Sequence, residues 1–304
     1  MHPAIYMAAA RKIQRVFRAR QKITMPGFIS HVTQRASGGE PLFLEDGDYL
    51  AMLTLFKEAA GKFDLHFYAF CFMPNHIHAL IRTRKENLAE AMQNVFSRYA
   101  VIFNRKYQRR GHLFGGPYRQ AVCLDNTYLL TASVYIHLNP VRAGLTNKAV
   151  DYKWSSCRLY TRDHTPSAFV DPLPVLALLC EDPQTARKQY SLILGKGRDA
   201  QPENALEQEG AVERFCLRLA ELFPAFFKKI AGKGSAAPRE DVQLPDMTEI
   251  EDLLRKHQTG NLGPKTPHAR KYLVEQLVAR GYRREEIASR LGVSRKTFYN
   301  DADG

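Results

Sequence analysis

Phe70-Cys71-Phe72-Met73-Pro74-Asn75-His76-Ile77-His78-Ala79-Leu80-Ile81 is two apolar runs on either side of a Pro-Asn pair. Apolar residues broken by two turn formers are how strand, tight turn and strand are written in sequence, so the stretch predicts a hairpin. Side chains along a strand alternate between faces. His76, His78 and Leu80 therefore share one face, and Ile77, Ala79 and Ile81 take the other. Alternate residues on a strand stand roughly 6–7 Å apart at Cα, a spacing from which two imidazoles can converge on one divalent ion if a third ligand comes from elsewhere. Two histidines on a solvated sheet face would satisfy the same pattern.

The third ligand is sought downstream. Asp125 is a good N-cap, no helix breaker follows for three turns, and Pro140 is expected to end the helix at about Asn139. At about 100° per residue, Tyr128, Thr131, Tyr135 and Asn139 fall in one stripe. A phenol and a carboxamide one turn apart then point the same way.

His76-Ile77-His78, followed after an intervening helix by Tyr135-Ile136-His137-Leu138-Asn139-Pro140-Val141-Arg142-Ala143-Gly144-Leu145, resembles the single-tyrosine HUH transposases, and most closely the REP-associated tyrosine transposases. Further matches are Pro26-Gly27 leading to His31-Val32-Thr33-Gln34-Arg35, Gly111-His112-Leu113-Phe114 leading to Tyr118-Arg119, and Trp154-Ser155-Ser156. The resemblance covers about residues 25–160. Pro117 departs from it, standing where relatives often carry arginine.

With 304 residues the chain is long enough for one to three domains with a real core. Its 44 Lys and Arg against 31 Asp and Glu give a net charge of +13 and a pI near 9.5. That balance favours a polyanionic partner, since each neutralised phosphate releases a counterion, although charge alone does not separate nucleic acid from an anionic membrane. The five cysteines show no Cys-x-x-Cys spacing and read as small buried hydrophobes of a reducing cytosol. No apolar run reaches ~18 residues, which argues against a membrane span.

Taken in order, residues 1–24 form a basic amphipathic stretch read as a nucleic-acid-binding arm. Residues 25–160 carry strand Phe28–Arg35, a helix that follows Glu45-Asp46-Gly47-Asp48 and runs to about Gly61, strands Leu65–Met73 and His76–Thr83, a helix capped by Asn87 and running to about Tyr107, strand Pro117–Leu124 and the Tyr135 helix. This order predicts an α+β two-layer sandwich around a central antiparallel sheet, ferredoxin-like, with the histidines on a central strand. Residues 161–244 read as a helical extension with linkers at 201–210 and 231–244. Its helices are expected at Leu173–Cys180, Thr185–Leu194 and Val212–Ile230. Residues 245–304 resemble a helix-turn-helix, Gly292 permitting the turn and Ser294 capping a basic second helix.

The resemblance implies a metal-dependent transposase or endonuclease of single-stranded, hairpin-forming (REP-like) DNA. Such an enzyme cleaves and rejoins strands through a 5′-phosphotyrosine. In that reading Tyr135 is the nucleophile, because a phenolate that stays attached to one product conserves the phosphodiester energy. His76, His78 and Asn139 hold Mg²⁺ or Mn²⁺. Arg98, Arg105, Lys106, Arg109, Arg110, Tyr118, Arg119 and Arg142 are candidate contacts to the single strand, and Arg290, Arg295 and Lys296 to duplex DNA. The protein is expected to be cytoplasmic, bacterial and nucleoid-associated, a monomer or homodimer that engages no membrane. A catalytically silent DNA-binding regulator is the competing reading. A zinc-stabilised structural module would need a closed set of four ligands, which the sequence lacks.

Overall fold

The computed structural model describes residues 22, 26–123, 125–162, 168–198, 211–232 and 289. The helix-turn-helix expectation, with Arg290, Arg295 and Lys296, the linker at 201–210 and nearly all of the basic arm lie outside the described residues.

Four strands form one antiparallel sheet: β1 (Ile29–Arg35), β2 (Leu65–Met73), β3 (His76–Thr83) and β4 (Arg119–Val122), in the order β2-β3-β1-β4. The β2–β3 hairpin closes through Pro74-Asn75, with Met73 opposite His76. The sheet is antiparallel with the histidine strand central, as expected, and helices cover both of its faces, which makes three layers where the sequence order suggests two. On one face α1 (Asp46–Lys62) and α2 (Leu88–Lys106) bury Ile77, Ala79 and Ile81 with Val32, Phe56 and Phe96. On the other lies α3 (Asn126–Arg142), which buries Leu80, Cys71 and Ala121. The short α4 (Cys157–Thr161) and α5 (Leu173–Leu176), then α6 (Pro183–Gly197), α7 (Ala211–Leu222) and α8 (Pro224–Ala231), join the same core as α3 through Tyr190, Phe215 and Phe227. Nearly every α3 side chain is therefore buried, between sheet and extension. No helix among the described residues is long and apolar enough to cross a membrane.

Several boundaries differ from expectation, each for a local reason. The Asp125 side chain accepts the Tyr128 amide at 2.7 Å and caps α3 as expected. Pro140 does not stop the helix, which continues to Arg142. In the last turn the missing proline amide removes one hydrogen bond, and a Schellman closure follows it. The Leu145 amide donates to Pro140 O at 2.9 Å and the Gly144 amide to Val141 O at 3.1 Å, with Gly144 at φ 67°. Asn87 sits at the start of α2 without capping it, because its Nδ2 donates to Phe63 O at 2.8 Å instead. The 212–230 helix is two helices broken at Phe223, since the residue before Pro224 is driven out of helical geometry. β4 is shorter than Pro117–Leu124, and the helix from Leu173 ends at Leu176.

The residues after α3 also protect the sheet. Phe72 N donates to Trp154 O at 2.9 Å and Ser156 N to Phe70 O at 3.0 Å, so the backbone of 154–156 covers the outer edge of β2. The Trp154 ring stacks on Tyr49 of α1 at 4.4 Å between centroids.

Asp48 ties α1 to α2. Its carboxylate accepts the Leu44 and Glu45 amides at 2.9 and 3.1 Å, the Tyr107 hydroxyl at 2.8 Å and the Lys106 ammonium at 2.6 Å. Burial by itself raises the Asp48 pKa. The bonds from Lys106, Leu44, Tyr107 and Glu45 together outweigh it and leave the pKa below the ordinary carboxylate value. A carboxyl depressed in the fold contributes stability above its unfolded pKa and loses it as pH falls through the folded value. Asp48→Ala is expected to cost about 1–2 kcal/mol at pH 7, because two amides lose their acceptor and Lys106 stays solvated. Urea unfolding should show that deficit shrinking below about pH 4.

Candidate active site

Strand register brings the candidate residues to one face. Thr33 pairs with His78 and Arg35 with His76, while His31 pairs with Leu80 on β3 and Ala121 on β4. Paired residues of antiparallel strands project to the same side, so His31, Thr33, His76 and His78 all face α3. The two β3 rings lie 4.9 Å apart and nearly perpendicular.

Each δ nitrogen of the pair is engaged. His76 Nδ1 lies 2.7 Å from Asn75 Oδ1, an acceptor, which places the ring proton on Nδ1. His78 Nδ1 lies 3.0 Å from His31 Nε2 and 3.2 Å from Thr33 Oγ1. These bonds orient both rings so that Nε2 is the nitrogen that would face a bound metal, as hydrogen bonds to the other ring nitrogen do for histidine ligands.

Tyr135 descends from α3 onto this cluster. Its ring centroid is 6.1 Å from His78 and 6.3 Å from His31, edge to face in both cases. Phe215 of α7 packs on it at 6.2 Å. The residue is only 3 % exposed. Because α3 continues past Pro140, Arg142 falls two turns beyond Tyr135. Its guanidinium carbon lies 5.6 Å from the Tyr135 ring centre and the group hydrogen-bonds the phenol. Burial lowers the Arg142 pKa while Tyr135 opposes the shift.

Asn139, one turn beyond Tyr135, has no exposed surface, and neither Oδ1 nor Nδ2 finds a hydrogen-bond partner among the described residues. An orphaned buried carboxamide costs about 1–3 kcal/mol, so its presence points to a ligand that completes it. Two imidazoles and a carboxamide are the kinds of donor that a catalytic divalent ion takes; they do not make a closed structural zinc site.

The other candidates are dispersed. Lys106 is bound to Glu45 and Asp48, Arg98 to Glu58 at 2.7 Å, and Arg109 to Glu40. Arg105 and Arg110 are exposed at the end of α2 and just beyond it. Arg119 is exposed opposite Thr33, on the Tyr135 face. Tyr118 is buried, with its ring turned away from solvent. His31 and Thr33 carry no spacing signal of their own and enter the site only through the β1–β3 pairing.

Behind the site, His137 is wholly buried between α3, α6 and the 154–156 segment. Its Nδ1 lies 2.7 Å from Tyr190 Oη and its Nε2 2.8 Å from Ser156 Oγ. Tyr190 donates to Ser133 Oγ at 3.2 Å and Ser133 to Leu130 O at 2.7 Å. Phe70 N donates to Ser156 Oγ at 2.9 Å. A neutral ring protonated on Nδ1 satisfies this chain, and burial, which disfavours the charged form, pushes the His137 pKa down to about 3.

The sheet thus carries paired histidines on a central strand, faced by a tyrosine from the helix lying across it. Residues 30–139 match the family model described as "Transposase IS200 like". A solved REP-associated tyrosine transposase, bound to a REP hairpin, is similar over 47% of this chain and 80% of that one, at 11% identity and a TM-score of 0.38. No curated protein sequence matches the chain.

Proposed function

We propose that the protein is a metal-dependent transposase or endonuclease acting on single-stranded, hairpin-forming DNA, with Tyr135 as nucleophile. The observation that carries this reading is the meeting of Tyr135 with His78 and His31, with Asn139, one turn further along the same helix, holding a buried carboxamide that the described residues leave unsatisfied.

In the forward step Tyr135 loses its phenolic proton and its oxygen attacks phosphorus. The bond from phosphorus to the 3′ oxygen breaks, and that oxygen leaves with a proton as a 3′-hydroxyl. The 5′ product stays on the enzyme as a phosphotyrosine, which a 3′-hydroxyl can reverse. Arg142 stabilises the phenolate as the proton departs, and His31 with Thr33 hold the His78 ring in place. His76, His78 and Asn139 would hold Mg²⁺ or Mn²⁺, which supplies Lewis-acid polarisation of a non-bridging phosphate oxygen.

Incubating the full chain with a labelled hairpin carrying single-stranded flanks should give a covalent protein–DNA band on a denaturing gel. The band is expected with Mn²⁺ or Mg²⁺ and should vanish with a chelator. Tight binding with no adduct under any metal would replace this reading by that of a silent DNA-binding regulator.

A further inference from the structure

Strand pairing lays out two rows of side chains across the Tyr135 face of the sheet. One runs Cys71, His78, Thr33, Arg119 from β2 to β4, and the next runs Met73, His76, Arg35. Each row ends on an arginine toward β4. Arg35 is the direct cross-strand partner of His76, which sets their Cβ atoms about 5 Å apart. Arg119 lies two strand spacings, about 10 Å, from His78.

The two arginines also neighbour each other. Arg35 is two residues along β1 from Thr33 and Arg119 is directly across from it, so they form a diagonal pair on antiparallel strands. Such a diagonal spans about 7–8 Å, within reach of long side chains. Neither row holds a carboxylate. Arg119 forms no ion pair among the described residues, in contrast with Arg98, Lys106 and Arg109, whose charges are bound to glutamates and Asp48 on the other side of the molecule. Like charges side by side on a sheet repel, and an anion shared between two guanidinium groups turns that repulsion into attraction.

The position of the pair decides which anion. Tyr135 and Arg142 come down from α3 onto His78 and His31. The arginine pair lies beside that point, on the β4 side, with Arg35 half-buried and Arg119 exposed on an edge strand. A phosphate held there is one linkage away from the phosphate that meets the tyrosine.

We propose that Arg35 and Arg119 form a backbone-phosphate subsite that grips the linkage next to the one Tyr135 attacks, and so fixes the single strand across the sheet. The inference rests on the proposed DNA-cleaving function for its substrate and adds a positioning site to it. Arg35 enters through its pairing with His76, not through any spacing in the sequence.

The test uses the full chain and the labelled hairpin with single-stranded flanks, with chelator present so that no strand is cut. Each flank linkage in turn is replaced by a neutral methylphosphonate, and affinity is read by fluorescence anisotropy. In the wild type one linkage should stand out, its neutralisation weakening binding about fivefold near 0.1 M salt, the size of one single-strand phosphate contact. Arg119→Gln should weaken binding to the unmodified strand by a similar factor, reduce the slope of log affinity against log salt by about 0.7, and make the methylphosphonate at that linkage silent. Its melting temperature should not change, because the side chain is exposed. Arg35→Gln should give the same three binding results, and Arg119→Gln decides the question even if Arg35→Gln folds poorly. A wild-type salt slope in Arg119→Gln, or a linkage scan in it that matches the wild type, overturns the subsite. The covalent-adduct assay reads the cleavage reaction separately. An adduct combined with a scan indifferent to Arg119 would remove the subsite alone, and an Arg119-dependent linkage without any adduct would keep the subsite and remove cleavage.

Discussion

Tyr135→Phe is expected to abolish covalent DNA attachment, lowering strand cleavage at least about 10³-fold, while hairpin affinity stays within about twofold of wild type. The contrast follows from what the phenol does in the fold. The ring packs against His31, His78 and Phe215, and phenylalanine keeps all three contacts together with the cation–π approach of Arg142. Only the hydroxyl and its bond to Arg142 are lost, so the stability change should stay within about 1 kcal/mol. A merely structural tyrosine would show the reverse, with activity falling only as far as the folded fraction falls. If the variant still formed an adduct, the nucleophile would have to be another tyrosine, with Tyr128 on the same helix the first to test.

The local parts of this architecture were legible in the residues. Alternation around Pro74-Asn75 wrote the hairpin, and Asp125 wrote the start of α3, because both signals act within a few residues of the chain. Non-local partners left no such trace. Nothing near His31 says that β1 will lie between β3 and β4, yet that pairing is what sets its Nε2 against His78. Lys106 reads as a free cation on a helix end until folding brings Asp48 beneath it. Arg142 reads as a residue past the end of a helix, since a proline normally marks that end. Here the Gly144 closure carries α3 one turn further and turns the arginine back over Tyr135. The break at Phe223 was written in the sequence by Pro224, but the apolar periodicity on both sides concealed it.

The His137 network explains why the tyrosine helix and the Trp154-Ser155-Ser156 segment belong together, and it gives the second large effect. His137→Leu is expected to destabilise the protein by about 2–4 kcal/mol at pH 7, since Tyr190 and Ser156 each lose a buried partner in one substitution. Ser156 can turn its hydrogen toward Phe70 O, 3.3 Å away, and Tyr190 keeps Ser133, which holds the loss below that of leaving both wholly orphaned. The pH dependence then separates this histidine from an ordinary core residue. Its pKa is depressed to about 3 in the fold, against about 6.5 when unfolded, so below pH 6.5 the unfolded chain binds the extra proton and wild-type stability falls. Between pH 6.5 and pH 4 that loss amounts to on the order of 3 kcal/mol. Leucine has no such proton to take up, and the carboxylates common to both proteins cancel in the difference. Urea midpoints should therefore show the variant well below wild type at pH 7 and converging on it near pH 4. A gap that stays constant across this range would mean that His137 is not held neutral between Tyr190 and Ser156, and that the network does not fix α3 against β2 in this way.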